Sequence, residues 1–301
     1  MKNFKYLFNY NYNKKKGINM DKKIIFFDID GTLVYSEQGV EKIREKTKEA
    51  IQKTRAKGNL VYLCTGRSKA EIYDFIWDIG VDGFIGAGGG YVEIDKEVLY
   101  HHCFTPKNVE KVLQYFNTYH YDFYMESNGG LYGSANLVPR LESIIYGDVE
   151  HDEAAKKRKA NGNAFIQAIK TNQCMQRSDI TKMCFLEHPT IPFNKIKEEF
   201  ENDFTIHHCT VKEFGEDSGE LSIKGVHKAK AIHDVLEKLN IPKSNTFAFG
   251  DGLNDIEMLE YCHIGIAMGN AKEGLKKVAD EICKPSHQDG IYEMMEKHNL
   301  I

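Results

Sequence analysis

The feature that most constrains this chain is a short, unbroken apolar run that stops at a carboxylate. Ile24-Ile25-Phe26-Phe27 leads directly into Asp28-Ile29-Asp30-Gly31-Thr32-Leu33. A run of this length without polar alternation reads as a strand covered on both faces, as in a parallel sheet. In an open parallel sheet, ligands occupy the crevice beyond the carboxyl ends of the strands. Asp28 and Asp30 are therefore expected at that crevice, with Gly31 letting the backbone turn close to a bound group. Two acids this close repel unless a cation or a shared proton intervenes. The stretch calls for a metal, a proton-transfer task, or both.

The same signal recurs twice. Leu60-Val61-Tyr62-Leu63-Cys64 ends in Thr65-Gly66-Arg67, and Thr246-Phe247-Ala248-Phe249 breaks into Gly250-Asp251-Gly252-Leu253-Asn254-Asp255. Helices are expected over 41–57, 68–79 and 228–239, from apolar spacing and glycine stops. Strands alternating with helices indicate βαβ units and a parallel sheet. Between the second and third runs the pattern changes to mixed strands, hairpin-like turns and charged helices. The expected architecture is α/β: a doubly wound parallel sheet core over 21–84 and 213–301, interrupted by an inserted α+β cap domain over 85–212. Residues 1–20 read as a disordered or loosely attached extension, and 86–90 (Gly-Ala-Gly-Gly-Gly) as a flexible passage.

With 301 residues there is room for two domains and ample core, and a net charge of −4 gives no reason to expect nucleic acid or an anionic membrane as partner. No apolar run approaches the roughly 18 residues of a membrane span. The first 19 residues lack the apolar core and small-residue cleavage site of a secretory signal. Seven scattered cysteines, none in a C-x-x-C pair, fit reduced thiols and a cytoplasmic location.

Three strand ends carrying Asp28 and Asp30, Thr65, and Asp251 with Asp255 would converge on one rim if the strands lie side by side. Four carboxylates around one point require a hard divalent cation, and Mg²⁺ suits oxygen ligands and phosphate oxygens. A phosphate would add negative charge, so donor or cationic groups must also reach the site. Thr65 and Lys228, the latter in the first turn of its helix, are the candidates.

These residues resemble the four motifs of the haloacid dehalogenase-like (HAD) hydrolase superfamily, and most closely its Cof-type phosphatase branch (class IIB, C2-type cap). Asp28-Ile29-Asp30-Gly31-Thr32-Leu33 matches the first motif, Cys64-Thr65-Gly66-Arg67 the second, Lys228 the third, and Gly250–Asp255 the fourth. Ile266-Ala267-Met268-Gly269-Asn270-Ala271, Ala279-Asp280 and Asp289-Gly290-Ile291 match the Cof-type tail. The likeness spans about 21–301, and in the insert it is one of position and size. It implies a Rossmann-like core and a phosphatase acting on small phosphorylated metabolites through an aspartyl-phosphate. Asp28 would be the nucleophile and Asp30 the general acid and base. Thr65, Gly66, Arg67, Lys228, Asn254 and Asn270 would face substrate or support its loops. Asp28, Asp30 through its main-chain carbonyl, Asp251 and Asp255 would serve the metal, Asp255 through a metal-bound water. A phosphotransferase or mutase would share the four motifs, and a non-catalytic phosphometabolite-binding regulator would share the fold.

Other readings of the same residues are weaker on local grounds. A calcium loop needs a bidentate Glu at its twelfth position, and that position holds Gly39 counted from Asp28 or Cys262 counted from Asp251. The glycines at 86–90 lack both the G-x-x-x-x-G-K-[ST] string and the G-x-G-x-x-G spacing. Where the family usually has Lys-Gly, this chain has Lys228-Ala229-Lys230, so a solvated helix face competes for Lys228. Near Gly88-Gly89, Cof-type relatives commonly carry Asn-Gly. His101-His102-Cys103 and His207-His208-Cys209 repeat at the expected ends of the insert, where a soft-metal site is conceivable, though adjacent residues on a strand point to opposite faces.

Overall fold

The computed structural model describes residues 22–37, 40–209 and 211–301. The extension expected over 1–20 lies outside these residues. An eight-stranded sheet runs in the order Glu281–Ile282, Ile264–Ala267, Thr246–Gly250, Ile24–Phe27, Leu60–Cys64, Gly83–Gly86, Tyr91–Ile94, Glu97–His101. The first six are mutually parallel, and the last two form an antiparallel edge.

Ile24–Phe27 lies at the centre of the parallel strands and is inaccessible throughout. Its side chains alternate between two cores. Ile25 and Phe27 pack with Ala50, Ile51, Ile291 and Met295 on one face, while Ile24 and Phe26 pack with Ala231, Ile232, Met258 and Leu259 on the other. This is why the run is continuously apolar: both faces are covered by helices, and each buried phenylalanine contributes about 1.5–3 kcal/mol. The register makes the neighbours end together, with Phe27 level with Phe249 on one side and Leu63 on the other.

A second sheet of six strands forms the cap, in the order Ile169–Lys170, Gly130–Gly133, Phe123–Ser127, Lys182–Phe185, Gly219–Ile223, Phe204–His208. One of its faces is apolar, where Phe123, Met125, Met183, Phe185 and Leu221 pack on the helices Pro106–Thr118 and Phe193–Phe200.

Sheet membership sets the domain change differently from the expected 85 and 212. The segment 91–101 hairpins back onto the core sheet, and Gly219–Ile223, taken from sequence as core, pairs with cap strands on both sides. A local apolar run does not say which sheet will accept it.

Three local expectations also change. The helix expected over 41–57 is Glu45–Ala56, preceded by a strand, Val40–Lys42, paired with Tyr35–Glu37. Over 68–79 the chain forms a turn, Lys69–Glu71, and a separate short helix, Asp74–Trp77. Glu71 caps Ser68, accepting from its N–H at 2.9 Å, and Ile72 and Tyr73 are extended, which ends the first turn. The 86–90 passage is packed rather than flexible. Ala87 N–H donates to Arg67 O and Gly88 N–H to Thr65 O, and a Cβ on Gly89 would lie 2.6 Å from His227 O.

Candidate active site

The strand register brings Asp28, Thr65 and Asp251 to one rim. Asp28 N–H donates to Phe249 O at 3.0 Å, extending the ladder by one step before the chain turns away. The turn depends on Gly31, whose φ is +77° and whose missing Cβ would stand 2.2 Å from Asp251 Oδ2. Thr32 Oγ1 then donates to Asp251 Oδ1 at 3.1 Å, tying the first motif to the fourth. Thr32 was not singled out from sequence, although it stands within the first motif.

Lys228 is buried, not solvated. Its Nζ donates to Asp28 Oδ1 and to Asp255 Oδ1, each at 2.6 Å. The other oxygen of Asp255 accepts from the N–H groups of Asp251 and Gly252, both at 3.0 Å, so this side chain shapes the fourth-motif loop as well as pairing the lysine. Burial alone would lower the Lys228 pKa, but Asp255 and Asp28 outweigh it and hold the ammonium charged. Burial raises Asp28 well above the carboxylate range, with Asp255 and Asp30 adding to the shift and Lys228 opposing it. Burial, then Asp255, pushes Asp251 up to about 6.

Asp28, Asp251 and Asp255 each offer an oxygen, and these atoms lie within 4.8 Å of one another. Three carboxyl groups face one ammonium in a space largely closed to solvent, and the repulsion among them is what raises Asp28 and Asp251 beyond the effect of burial. Hard oxygen donors in that arrangement fit a divalent cation. Among the described residues, no other set of three His, Cys, Asp or Glu side chains is so grouped. The two His-His-Cys tripeptides therefore do not converge. His101 packs edge-on to Tyr91 at the margin of the core sheet. His208 stacks on Phe193 at the end of the outer cap strand opposite Phe204, which packs against Phe104.

The Asp30 side chain is exposed and turned to Arg67, whose Nε and Nη2 grip its two oxygens at 2.9 and 2.5 Å. Arg67 Nη2 also reaches Glu41 at 2.9 Å, and Nη1 donates to Glu71 O at 2.9 Å, so the guanidinium is engaged by the protein itself. Thr65 is buried, and its hydroxyl accepts from Arg67 N–H at 3.1 Å, leaving its own O–H to donate elsewhere. Gly66 O accepts from Lys182 of the cap at 3.0 Å, a residue that no sequence signal marked. Asn270 braces the first-motif loop, donating to Gly31 O and accepting from Ser286 N–H, both at 2.8 Å. Asn254 is exposed on the turn Leu253–Asp255.

A doubly wound α/β core, a cap sheet, and an acid cluster with a buried lysine at the strand ends make a site that could bind an anionic group beside a cation. The family model of the haloacid dehalogenase-like hydrolase matches residues 25–295. Phosphatase YwpJ of Bacillus subtilis is 28% identical over 297 residues, covering 92% of this chain and all of that protein. The 5-amino-6-(5-phospho-D-ribitylamino)uracil phosphatase YcsE of the same organism is 23% identical, covering 91% of this chain and 94% of its own. Among solved structures, the HAD subclass IIB sugar phosphatase BT4131 superposes with a TM-score of 0.70 at 26% identity, covering 93% of this chain and all of that one. The chain belongs to the haloacid dehalogenase-like hydrolases, and within them to the Cof-type phosphatase branch.

Proposed function

We propose that the protein is an Mg²⁺-dependent phosphatase that hydrolyses small phosphate monoesters, sugar phosphates or related phosphometabolites, through a phosphorylated Asp28. The observation that carries this reading is the buried triad in which Lys228 bridges Asp28 and Asp255 beside Asp251. A carboxylate with no task would not be held there at the cost of burying it with two others. Asp28, Asp251 and Asp255 would hold the cation, and when bound it supplies positive charge against the phosphoryl oxygens.

The protein's own residues account for the rest. Lys228 Nζ holds one oxygen of Asp28, which orients the other for in-line attack on phosphorus. The Thr65 hydroxyl offers a donor to the phosphoryl group. Asp30 carries the proton to the leaving oxygen and later removes one from water, and the Arg67 fork sets where its carboxyl stands. The cap covers the crevice and excludes bulk water. Among the described residues, no helix is long and apolar enough to cross a membrane.

The test is phosphate release from p-nitrophenyl phosphate with Mg²⁺. Asp28→Asn is expected to lower kcat by about 10⁴-fold or more, since loss of a nucleophile disables the whole assembly. Turnover by that variant at the wild-type rate would overturn the nucleophile assignment.

A further inference from the structure

The second face of the cap sheet is divided: Tyr124, Leu131 and Cys184 pack there with Leu137 and Leu141 in an apolar cluster, and beside them stand charged residues. Strand register aligns Glu126, Lys182 and Ser222 in one row across three neighbouring strands, and Tyr124, Cys184 and Glu220 in the next. Alternation along a strand puts these six on the face opposite Met125, Met183 and Leu221. Lys182 Nζ stands 3.6 Å from Glu126 Oε1 and 3.3 Å from Glu220 Oε2, with its side chain only 12% exposed. Glu126 is 2% exposed, and no donor reaches its Oε2. Burying such groups costs several kcal/mol per ion unless each is fully bonded, so an orphaned carboxyl oxygen here is conspicuous.

This row lies against the loop that follows Thr65. Lys182 donates to Gly66 O, and Asn128, in the turn that follows the Glu126 strand, accepts from Lys69 N–H at 3.1 Å. In-line attack from Asp28 sends the leaving group away from the strand ends, toward whatever covers the crevice. Through the Lys182–Gly66 bond, the Glu126–Lys182 row stands on the cap side of the loop that follows Thr65.

We propose that Lys182, with Glu126 and Glu220, reads hydroxyl groups on the leaving part of the substrate. The proposal rests on the phosphatase reading and deepens it. An ammonium flanked by carboxyl groups offers donors and acceptors side by side, which is what a hydroxyl, donor and acceptor at once, requires. With Glu71 also facing Glu126, acids outnumber the single lysine, so the row disfavours a leaving group bearing a second phosphate. The leaving group is thus a polyol or sugar rather than a nucleoside diphosphate or a bare aromatic ring. Burial first, then the Glu71 charge, raises the Glu126 pKa, with Lys182 opposing.

The experiment compares two kinds of substrate in Lys182→Met and Glu126→Gln. Wild-type enzyme is assayed on p-nitrophenyl phosphate, whose leaving group has no further hydroxyl, and on glycerol 1-phosphate, erythrose 4-phosphate, ribose 5-phosphate and glucose 6-phosphate. For the best of these four, kcat/KM is expected to fall about tenfold or more in each variant, while p-nitrophenyl phosphate changes less than about threefold and shows that the variants are folded. Equal losses on both kinds of substrate would overturn the proposal, because Lys182 would then serve only to tie cap to core. No loss on either, or a wild type that turns over p-nitrophenyl phosphate and none of the four, would also overturn it while leaving the phosphatase reading intact. A wild type that releases phosphate from none of the five would overturn both.

Discussion

Two lysines in this molecule sit between pairs of carboxylates, and they are built differently. In the core, Lys228 is 2% exposed and donates to Asp28 and Asp255 at 2.6 Å each. In the cap, Lys182 stands at 3.6 and 3.3 Å from Glu126 and Glu220 and gives a 3.0 Å bond to a backbone carbonyl of the core. The core lysine is locked by charge at both ends, which suits a group that must hold a nucleophile still. The cap lysine has looser partners and a bond that crosses the domain seam, which suits a group that must give way to different ligands. On the proposed reading, the invariant chemistry belongs to the core sheet and recognition to the cap sheet.

The comparison breaks most visibly if the two lysines prove equally costly to remove. Lys228→Met strands two buried carboxylates and is expected to cost about 3–5 kcal/mol of stability as well as activity. Lys182→Met is expected to cost about 1 kcal/mol, because Glu126 can take up a proton in compensation. Chemical denaturation of both variants at neutral pH without metal measures the gap, and equal losses would erase the distinction.

A smaller effect is expected at the hinge between the first and fourth motifs. Gly31→Ala must adopt a φ of +77° and push its methyl group into Asp251. The backbone term alone is about 1–2 kcal/mol, and displacement of Asp251 should weaken metal binding in addition. A variant with unchanged melting temperature and unchanged Mg²⁺ response would show that the turn can relax.

The smallest effect concerns pH and sharpens the cap side of the comparison. Burial and Glu71 hold Glu126 above its unfolded pKa, so the folded state binds more protons than the unfolded one between the two values. Its contribution to stability is therefore full at low pH and is lost as pH rises through the folded value. Glu126→Gln cannot ionise. The melting temperature of the wild type relative to this variant should fall as pH rises above the ordinary glutamate range near 4. A pH-independent difference would mean that Glu126 does not titrate in that window.

Much of the core was legible because its physics is local. Strands covered on both faces read as unbroken apolar runs, and Leu60–Cys64 and Lys228–Leu239 have the expected bounds. The position of Lys228 could be read, but its burial could not, since the acids that neutralise it lie 200 and 27 residues away. The cap was less legible. Lys182-Met183-Cys184-Phe185 alternates like any half-exposed strand, and nothing in it shows that the polar side meets Gly66 rather than water. Elsewhere in the cap, Tyr132 packs in the apolar core, Arg140 pairs with Asp122, and Lys156 and Lys159 of the helix Glu153–Asn161 pair with Glu153 and Glu142. Tyr124 packs in the second apolar cluster of the cap, edge-on to Phe165. The sheet change at 91–101 and at Gly219–Ile223 was hidden for a similar reason, because strand partners are a tertiary matter.

The central claim is that acids from distant segments meet at one sheet edge to hold a single divalent ion. Calorimetric titration of Mg²⁺ into the metal-free wild type and into Asp251→Asn tests it most directly. One ion per chain is expected in the wild type, with an affinity at least about tenfold weaker in the variant. Equal affinity in the two proteins would contradict it.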